Sequence, residues 1–181
     1  MDYLTDSYLK ECDATVVEVV NEKGIVLDRT CFYPQGGGQP YDTGTLTKGS
    51  EKFKVVSVKK VEGKVVHEVD TPGLNVNEGI HGKIDWERRY TLMRHHTAAH
   101  ILSGVLNKEG NVLITGNQLD VDKSRMDFDV PEFTQEKIDE LFRKANEIVE
   151  KDLPINVYYM DRSEAEQQAD LVKLAKGLPL A

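Results

Sequence analysis

The sequence contains no apolar run approaching the roughly 18 residues that a membrane-crossing helix needs, so no association with a bilayer is expected. Met1 to Lys10, MDYLTDSYLK, carries acids and lacks an apolar centre, which leaves out a secretory signal peptide and points to the cytoplasm. Cysteine is scarce. Cys12 and Cys31 are the only two in 181 residues, too few for a disulfide framework and too far apart for a CxxC pair, and they are expected to be reduced, structural thiols. An excess of positive charge is also missing. A formal net charge of -8 excludes a protein that coats nucleic acid without discrimination, because such binding depends on Lys and Arg displacing counterions from phosphates. Local basic clusters remain at Lys52, Lys54, Lys59, Lys60 and Lys64, at Arg88, Arg89 and Arg94, and at Lys123 and Arg125. Each is either an RNA-facing patch or a solvated edge. Internal repeats and low-complexity segments are absent.

What is present reads as a folded chain, 39% apolar and 30% charged. From Thr15 to Asp85, β-branched stretches alternate with turn signals: Val16 to Val20, Gly24 to Leu27, Phe32-Tyr33, Phe53 to Val61, Lys64 to Val69 and Gly79 to Ile84. Their even spacing predicts a small β-barrel over residues 1–85, with Pro34, Pro40 and Pro72 in connections. The character changes at Asp85. Trp86 to Asn107 predicts a long helix, apolar on two opposite sides and therefore buried, and strand-like alternation returns over Asn111 to Ile114 and Gln118 to Val130. Thr134 is placed to cap a second helix, with Phe133 and Ile138 as a hydrophobic staple. Its expected buried stripe is Ile138, Leu141, Phe142, Ala145, Ile148 and Val149, ending before Pro154. Ile155 to Met160 reads as a further strand, and Ser163-Glu164-Ala165-Glu166 as the capping box of a last helix running towards Gly177. The expected class is α+β: a small N-terminal β-barrel, then an antiparallel sheet packed with helices over residues 86–181.

Two features carry chemistry. His96 and His100 are four apart on the first helix, so their rings project from one face with about 40° between them. Ala99 and Ser103 leave room beside them, while Ala98, Ile101 and Val105 are expected to anchor the other side. A rigid helix presenting two imidazoles suits one metal ion, and imidazole is the commonest protein ligand for zinc. The bare spacing equally fits two hydrogen-bonded core histidines, or a pair of which one is exposed. A protease helix would read HExxH, with a general base beside the first histidine; Thr97 stands there, which disfavours proteolysis.

The second feature is the run from Phe32 to Gly44, with Gly36, Gly37 and Gly38 bracketed by prolines and by Gln35 and Gln39. Three glycines permit positive φ and the close approach of a ligand or another backbone. The Gly-Lys-Ser/Thr ending of a P-loop is missing, and no helix follows as a dinucleotide fingerprint requires. Without further context the segment is a bulged hairpin.

The segments CFYPQGGGQPYDTG, RHHTAAHIL and GNQLDVDKSRMDFD, in this order and at these distances, resemble the editing portion of alanyl-tRNA synthetase and, more closely, its free-standing relatives, the AlaX proteins. The resemblance spans nearly the whole chain, and the N-terminal barrel with its glycine-rich loop points to the medium form. It implies a zinc-containing deacylase that acts in trans on tRNA(Ala) mischarged with serine, with glycyl-tRNA(Ala) as a second candidate substrate. His96 and His100 match the family's first two zinc ligands. The family draws its others from a later CxxxH motif, which does not occur up to Ala181; the chain is expected to be truncated there, with the remaining ligands of one Zn2+ ion beyond it.

In this frame Gly36, Gly37, Gly38 and Gln39 are the expected substrate-binding residues, and Thr30 and Gln118 the expected catalytic ones. Serine differs from alanine by one hydroxyl, and a site built to hydrogen-bond it can discriminate strongly. Thr30 offers a hydroxyl just before the glycine run, and Gln118 an amide that can hold substrate or water. Zinc could activate water, polarise the ester carbonyl or only position the amine. Two other functions remain open: a metal-dependent hydrolase of small esters or amides, and a non-catalytic tRNA-binding module.

Overall fold

Alternating apolar and polar residues in the first half of the chain close into a barrel in the computed structural model, which describes residues 1–110, 112–129 and 134–167. Six strands, β1 (Glu11–Val20), β2 (Gly24–Leu27), β3 (Gly44–Lys48), β4 (Glu51–Val61), β5 (Lys64–Val69) and β6 (Gly79–Ile84), run in the order β1-β2-β5-β4-β3-β6. Every ladder is antiparallel. Period-two alternation sends one set of side chains inward. Val16, Ile25, Leu46, Val55, Val58 and Val69 are completely buried. Closure removes the exposed edges that an open sheet of this size would present.

Two expectations fail in this half. Phe32 and Tyr33 form no strand. Phe32 is a buried plug whose ring meets His67 edge-on at 5.4 Å and lies against Gly44 and Gly82, where a Cβ on either glycine would sit 2.9 and 3.1 Å from it. The missed strand is β3, which closes the barrel by pairing with β4 and β6.

The chain divides into two compact units, Met1–Met93 and Arg94–Ala181. Helix α1 (Trp86–Gly110) extends the predicted helix by three residues. In the second unit, β7 (Ile114–Gln118) and β8 (Arg125–Phe128) form an antiparallel hairpin with an irregularity between Ile114 and Gly116. Helix α2 (Gln135–Val149) starts at Thr134, whose side chain accepts the N–H of Lys137, and the staple residue Phe133 lies outside the described residues. Val105, Leu106, Val112, Leu141 and Ala145 make the small core here. Lys144 reaches Glu109 at 2.6 Å and so ties α2 to α1.

The predicted stripe of α2 is only partly covered: Leu141 and Ala145 are buried, whereas Phe142 and Val149 are exposed. Phe142 instead borders an apolar cavity of about 550 Å³ together with His95, Leu102, Met126, Phe128 and Leu141. Ile155 to Met160 forms no strand among the described residues, and Ile155 and Val157 are exposed. A short helix, α3 (Arg162–Gln167), follows; Ser163 falls inside it rather than at its cap, and the predicted continuation to Gly177 lies outside the described residues. No helix among the described residues is long and apolar enough to cross a membrane.

Candidate functional site

In the barrel unit the glycine run folds as a tight hairpin. Gly36 and Gln39 exchange N–H···O bonds at 3.1 and 2.9 Å, and the two residues between them, Gly37 and Gly38, have φ of 59° and 79°. Positive φ at both central positions defines a type I′ turn, which glycine adopts without strain. The bulge expected from the sequence is thus a two-residue turn. Its tip, Gly36 to Gly38, is exposed, while Gln39 is buried. The N–H groups of Gly37 and Gly38 lie outside the bridge.

The base of this loop is fixed by one carboxylate. Asp42 accepts the N–H of Tyr33 at 2.7 Å and pairs with Arg89 of α1, the two side chains being 1% and 3% exposed. Arg89 Nε donates to Asp42 at 3.0 and 3.1 Å, Nη1 to the carbonyl of Ser7 at 2.9 Å, and Nη2 to the carbonyl of Cys31 at 2.7 Å and to Asp42. Arg89 belongs to the basic cluster Arg88, Arg89 and Arg94, expected on an RNA-facing patch or a solvated edge. Its burial corrects that: a guanidinium with its donors taken by one carboxylate and two carbonyls holds the loop rather than a phosphate. Its spacing from Asp42 in the sequence carries no signal.

Thr30 opens the same connection and is 1% exposed. Its hydroxyl lies 2.8 Å from His67 Nε2 and accepts the N–H of Phe32 at 3.1 Å. His67 Nδ1 faces the carbonyl of Ile25 at 3.0 Å, so Nδ1 carries the proton and Nε2 accepts from Thr30. Burial pushes His67 down to about 4, with the Ile25 carbonyl opposing, and the ring is neutral near pH 7. Nothing in the sequence marked this histidine as a partner of Thr30.

In the second unit, His96 and His100 stand one helical turn apart with ring centroids 4.9 Å apart and planes within 11°. His96 is half-buried and His100 exposed. Burial, and then the neighbouring His100, lower the pKa of His96, favouring the neutral ring that can ligate a cation. Of the residues expected to anchor the other side, Val105 is buried and Ile101 half-buried, but Ala98 is exposed; Ser103, expected to leave room beside the histidines, is buried. Gln118 is exposed at the end of β7, opposite Arg125. The turn that follows it is bound to α1, because His95 Nδ1 donates to the carbonyl of Asp120 at 2.6 Å. The hairpin bearing Gln118 is thereby anchored one residue before His96. Arg125 is engaged with Asp127 at 2.8 Å on the surface.

The donor set at His96 and His100 matches zinc in kind: two neighbouring nitrogen ligands on a rigid element. Among the described residues no group of three His, Cys, Asp or Glu gathers to complete such a site.

The family model of class II (A) tRNA synthetases matches residues 7–88, the barrel and the start of α1. The alanyl-tRNA editing protein AlaX-M of Methanosarcina barkeri is 44% identical over 182 residues, covering 97% of this chain and 75% of the relative. The AlaX-M protein of Methanosarcina mazei is 46% identical over 184 residues, covering 97% and 73%. The alanine–tRNA ligase of Thermococcus kodakarensis is 42% identical over 171 residues, which is 92% of this chain but 18% of the ligase. Identity at this level, sustained across three quarters of a free-standing protein, decides the matter: the chain belongs to the AlaX-M family of alanyl-tRNA editing proteins.

Proposed function

We propose that this chain edits in trans, hydrolysing the ester of tRNA(Ala) mischarged with serine, and secondarily with glycine, in the cytoplasm where aminoacylation occurs. The observation that carries the reading is the stacked pair His96 and His100 on α1, in a chain of a family whose members are named for alanyl-tRNA editing. In this reading both imidazoles hold one Zn2+ ion. Bound there, the metal supplies Lewis acidity to the ester or to water.

The chain's own residues divide the remaining work. The glycine tip, without side chains, admits the acceptor end of the tRNA, with the N–H groups of Gly37 and Gly38 as donors and Gln39 behind them. Gln118 holds the substrate or a water molecule. Thr30 reads the serine. A hydroxyl has one donor and two lone pairs; His67 takes the donor and the Phe32 N–H one lone pair, which leaves the other to accept a hydrogen bond from the seryl hydroxyl. Because Thr30 is buried, the connection that carries it has to move aside as substrate enters.

The test is deacylation of seryl-tRNA(Ala) alongside zinc analysis. His96→Ala and His100→Ala should each lose zinc and lower kcat/KM by about 100-fold or more. Thr30→Val should keep the zinc content of the parent while lowering seryl-tRNA hydrolysis by about 10-fold or more, the loss of roughly one good hydrogen bond. Unaltered zinc and kinetics in both histidine variants would rule out the metal assignment. Unaltered kinetics in Thr30→Val would rule out its part in discrimination.

A further inference from the structure

Cys12 of β1 and Cys31 of the β2–β3 connection, 19 positions apart, meet inside the barrel with their sulfur atoms sharing a hydrogen bond at 2.9 Å. The backbone N–H of Cys31 also donates to Cys12 Sγ at 3.2 Å. We propose that this buried dithiol is a modification site, which hydrogen peroxide converts to an intramolecular disulfide joining β1 to the segment that carries Thr30 and the glycine hairpin. The contact itself supports the closure, since the two sulfurs need to approach by less than an ångström to reach the bonded separation of about 2.05 Å.

The chemistry assigns different roles to the two thiols. Contact with the Cys31 thiol, joined by the backbone N–H that Cys31 donates to it, draws the Cys12 thiol down to about 7, whereas the same contact and burial push Cys31 up. Cys12, whose sulfur accepts the Cys31 N–H and is the less buried of the two, is the nucleophile and Cys31 the resolving thiol. Cys12 is 7% exposed and Cys31 fully buried, an arrangement that admits a small peroxide to Cys12 first.

The Cys12 thiolate attacks the peroxide O–O bond, forming a sulfenic acid and releasing hydroxide, which takes up a proton to give water. The sulfur of Cys31 then attacks Cys12 Sγ; the S–O bond breaks, and the thiol proton of Cys31 leaves with the departing oxygen as a second water. Two thiols and one peroxide become one disulfide and two waters, with two electrons passing from sulfur to peroxide. Cys31 is adjacent to Thr30, and its carbonyl accepts Arg89 Nη2 at 2.7 Å, so the new bond pins the root of the loop already held by Arg89 and Asp42.

The experiment treats the whole chain under native conditions with equimolar hydrogen peroxide, then denatures it, alkylates free thiols and measures mass. The expected product is about 2 Da lighter before alkylation, takes up no alkylating reagent, yields a single peptide pair joining Cys12 to Cys31, and reverts with dithiothreitol. Its thermal midpoint should rise by roughly 5 °C or more, as cross-linking restricts the unfolded chain. Cys31→Ser should leave Cys12 carrying added oxygen and no cross-link. Two alkylatable thiols after treatment, or a cross-link between separate chains, would overturn the proposal. So would wild-type protein with oxygen on Cys12 and Cys31 still free, and none of these readings depends on a variant that folds.

Discussion

A guanidinium is tolerated in a protein interior only when its donors find acceptors there, and Arg89 meets that condition through Asp42, Ser7 and Cys31. Removing either charge leaves the other buried and unpaired. Arg89→Ala and Asp42→Ala should each destabilise the barrel by about 3–5 kcal/mol, and the double variant should cost much less than their sum. Arg89→Lys should also be destabilising, because a single ammonium cannot reach the carboxylate and both carbonyls in the same fork. Denaturant unfolding of the parent and these four variants measures this; a cost below about 1 kcal/mol for either alanine single variant would mean that the pair is hydrated rather than buried. The residues hardest to read from sequence are of this kind. His96 and His100 are legible because helix geometry turns a spacing of four into proximity, whereas Asp42 with Arg89, Thr30 with His67 and Cys12 with Cys31 meet only once the barrel has closed.

Elements were legible where a local pattern sufficed and misread where a partner decided. Strands β1, β2, β4, β5 and β6 follow from alternation of β-branched residues, and α2 from its cap and stripe. Strand β3, Gly44-Thr45-Leu46-Thr47-Lys48, has one fully buried apolar side chain, Leu46, and a glycine where a strand former would be expected. That glycine is required by close approach. A Cβ at Gly44 would stand 2.2 Å from the carbonyl oxygen of Lys83 and 2.8 Å from Ile84 Cα, both backbone atoms of β6 that cannot swing away. Conversely, Phe32-Tyr33 and Ile155 to Met160 have strand-forming residues but no ladder among the described residues, so intrinsic preference was overridden by what lies beside them. Gly44→Ala should therefore separate β3 from β6 at one end and destabilise the barrel by about 3 kcal/mol or more. Amide exchange should show the loss first in the β3–β6 ladder, from Gly44↔Ile84 to Thr47↔His81. Uniform protection in the variant would mean that β6 shifts to accommodate the methyl group.

For the molecule as a whole, acid should act in two opposed ways. A formal net charge of -8 diminishes as the pH falls towards the pI near 5.2, which relieves self-repulsion and favours the folded chain. His67 works against this. Its folded pKa, about 4, lies below the ordinary 6.5, so the unfolded chain takes up a proton that the barrel refuses; the contribution is complete above 6.5 and is lost as the pH falls from there towards 4. Between pH 7 and about pH 5 the loss amounts to about 2 kcal/mol. His81 does not share this window. Asp13 at 2.7 Å raises its pKa, so its contribution is fully present below 6.5 and fades only as the pH rises above that. Glu78, paired with Asn75 and Lys48 and held below its ordinary 4.5, begins to weaken the fold only under stronger acid. The barrel's unfolding free energy should therefore decline between pH 7 and about pH 5 in the parent and hold steady or rise in His67→Gln, whose amide can still donate to Ile25 and accept from Thr30. Equal declines in the two proteins would place the acid sensitivity elsewhere and would mean that the His67 ring is hydrated in the folded barrel.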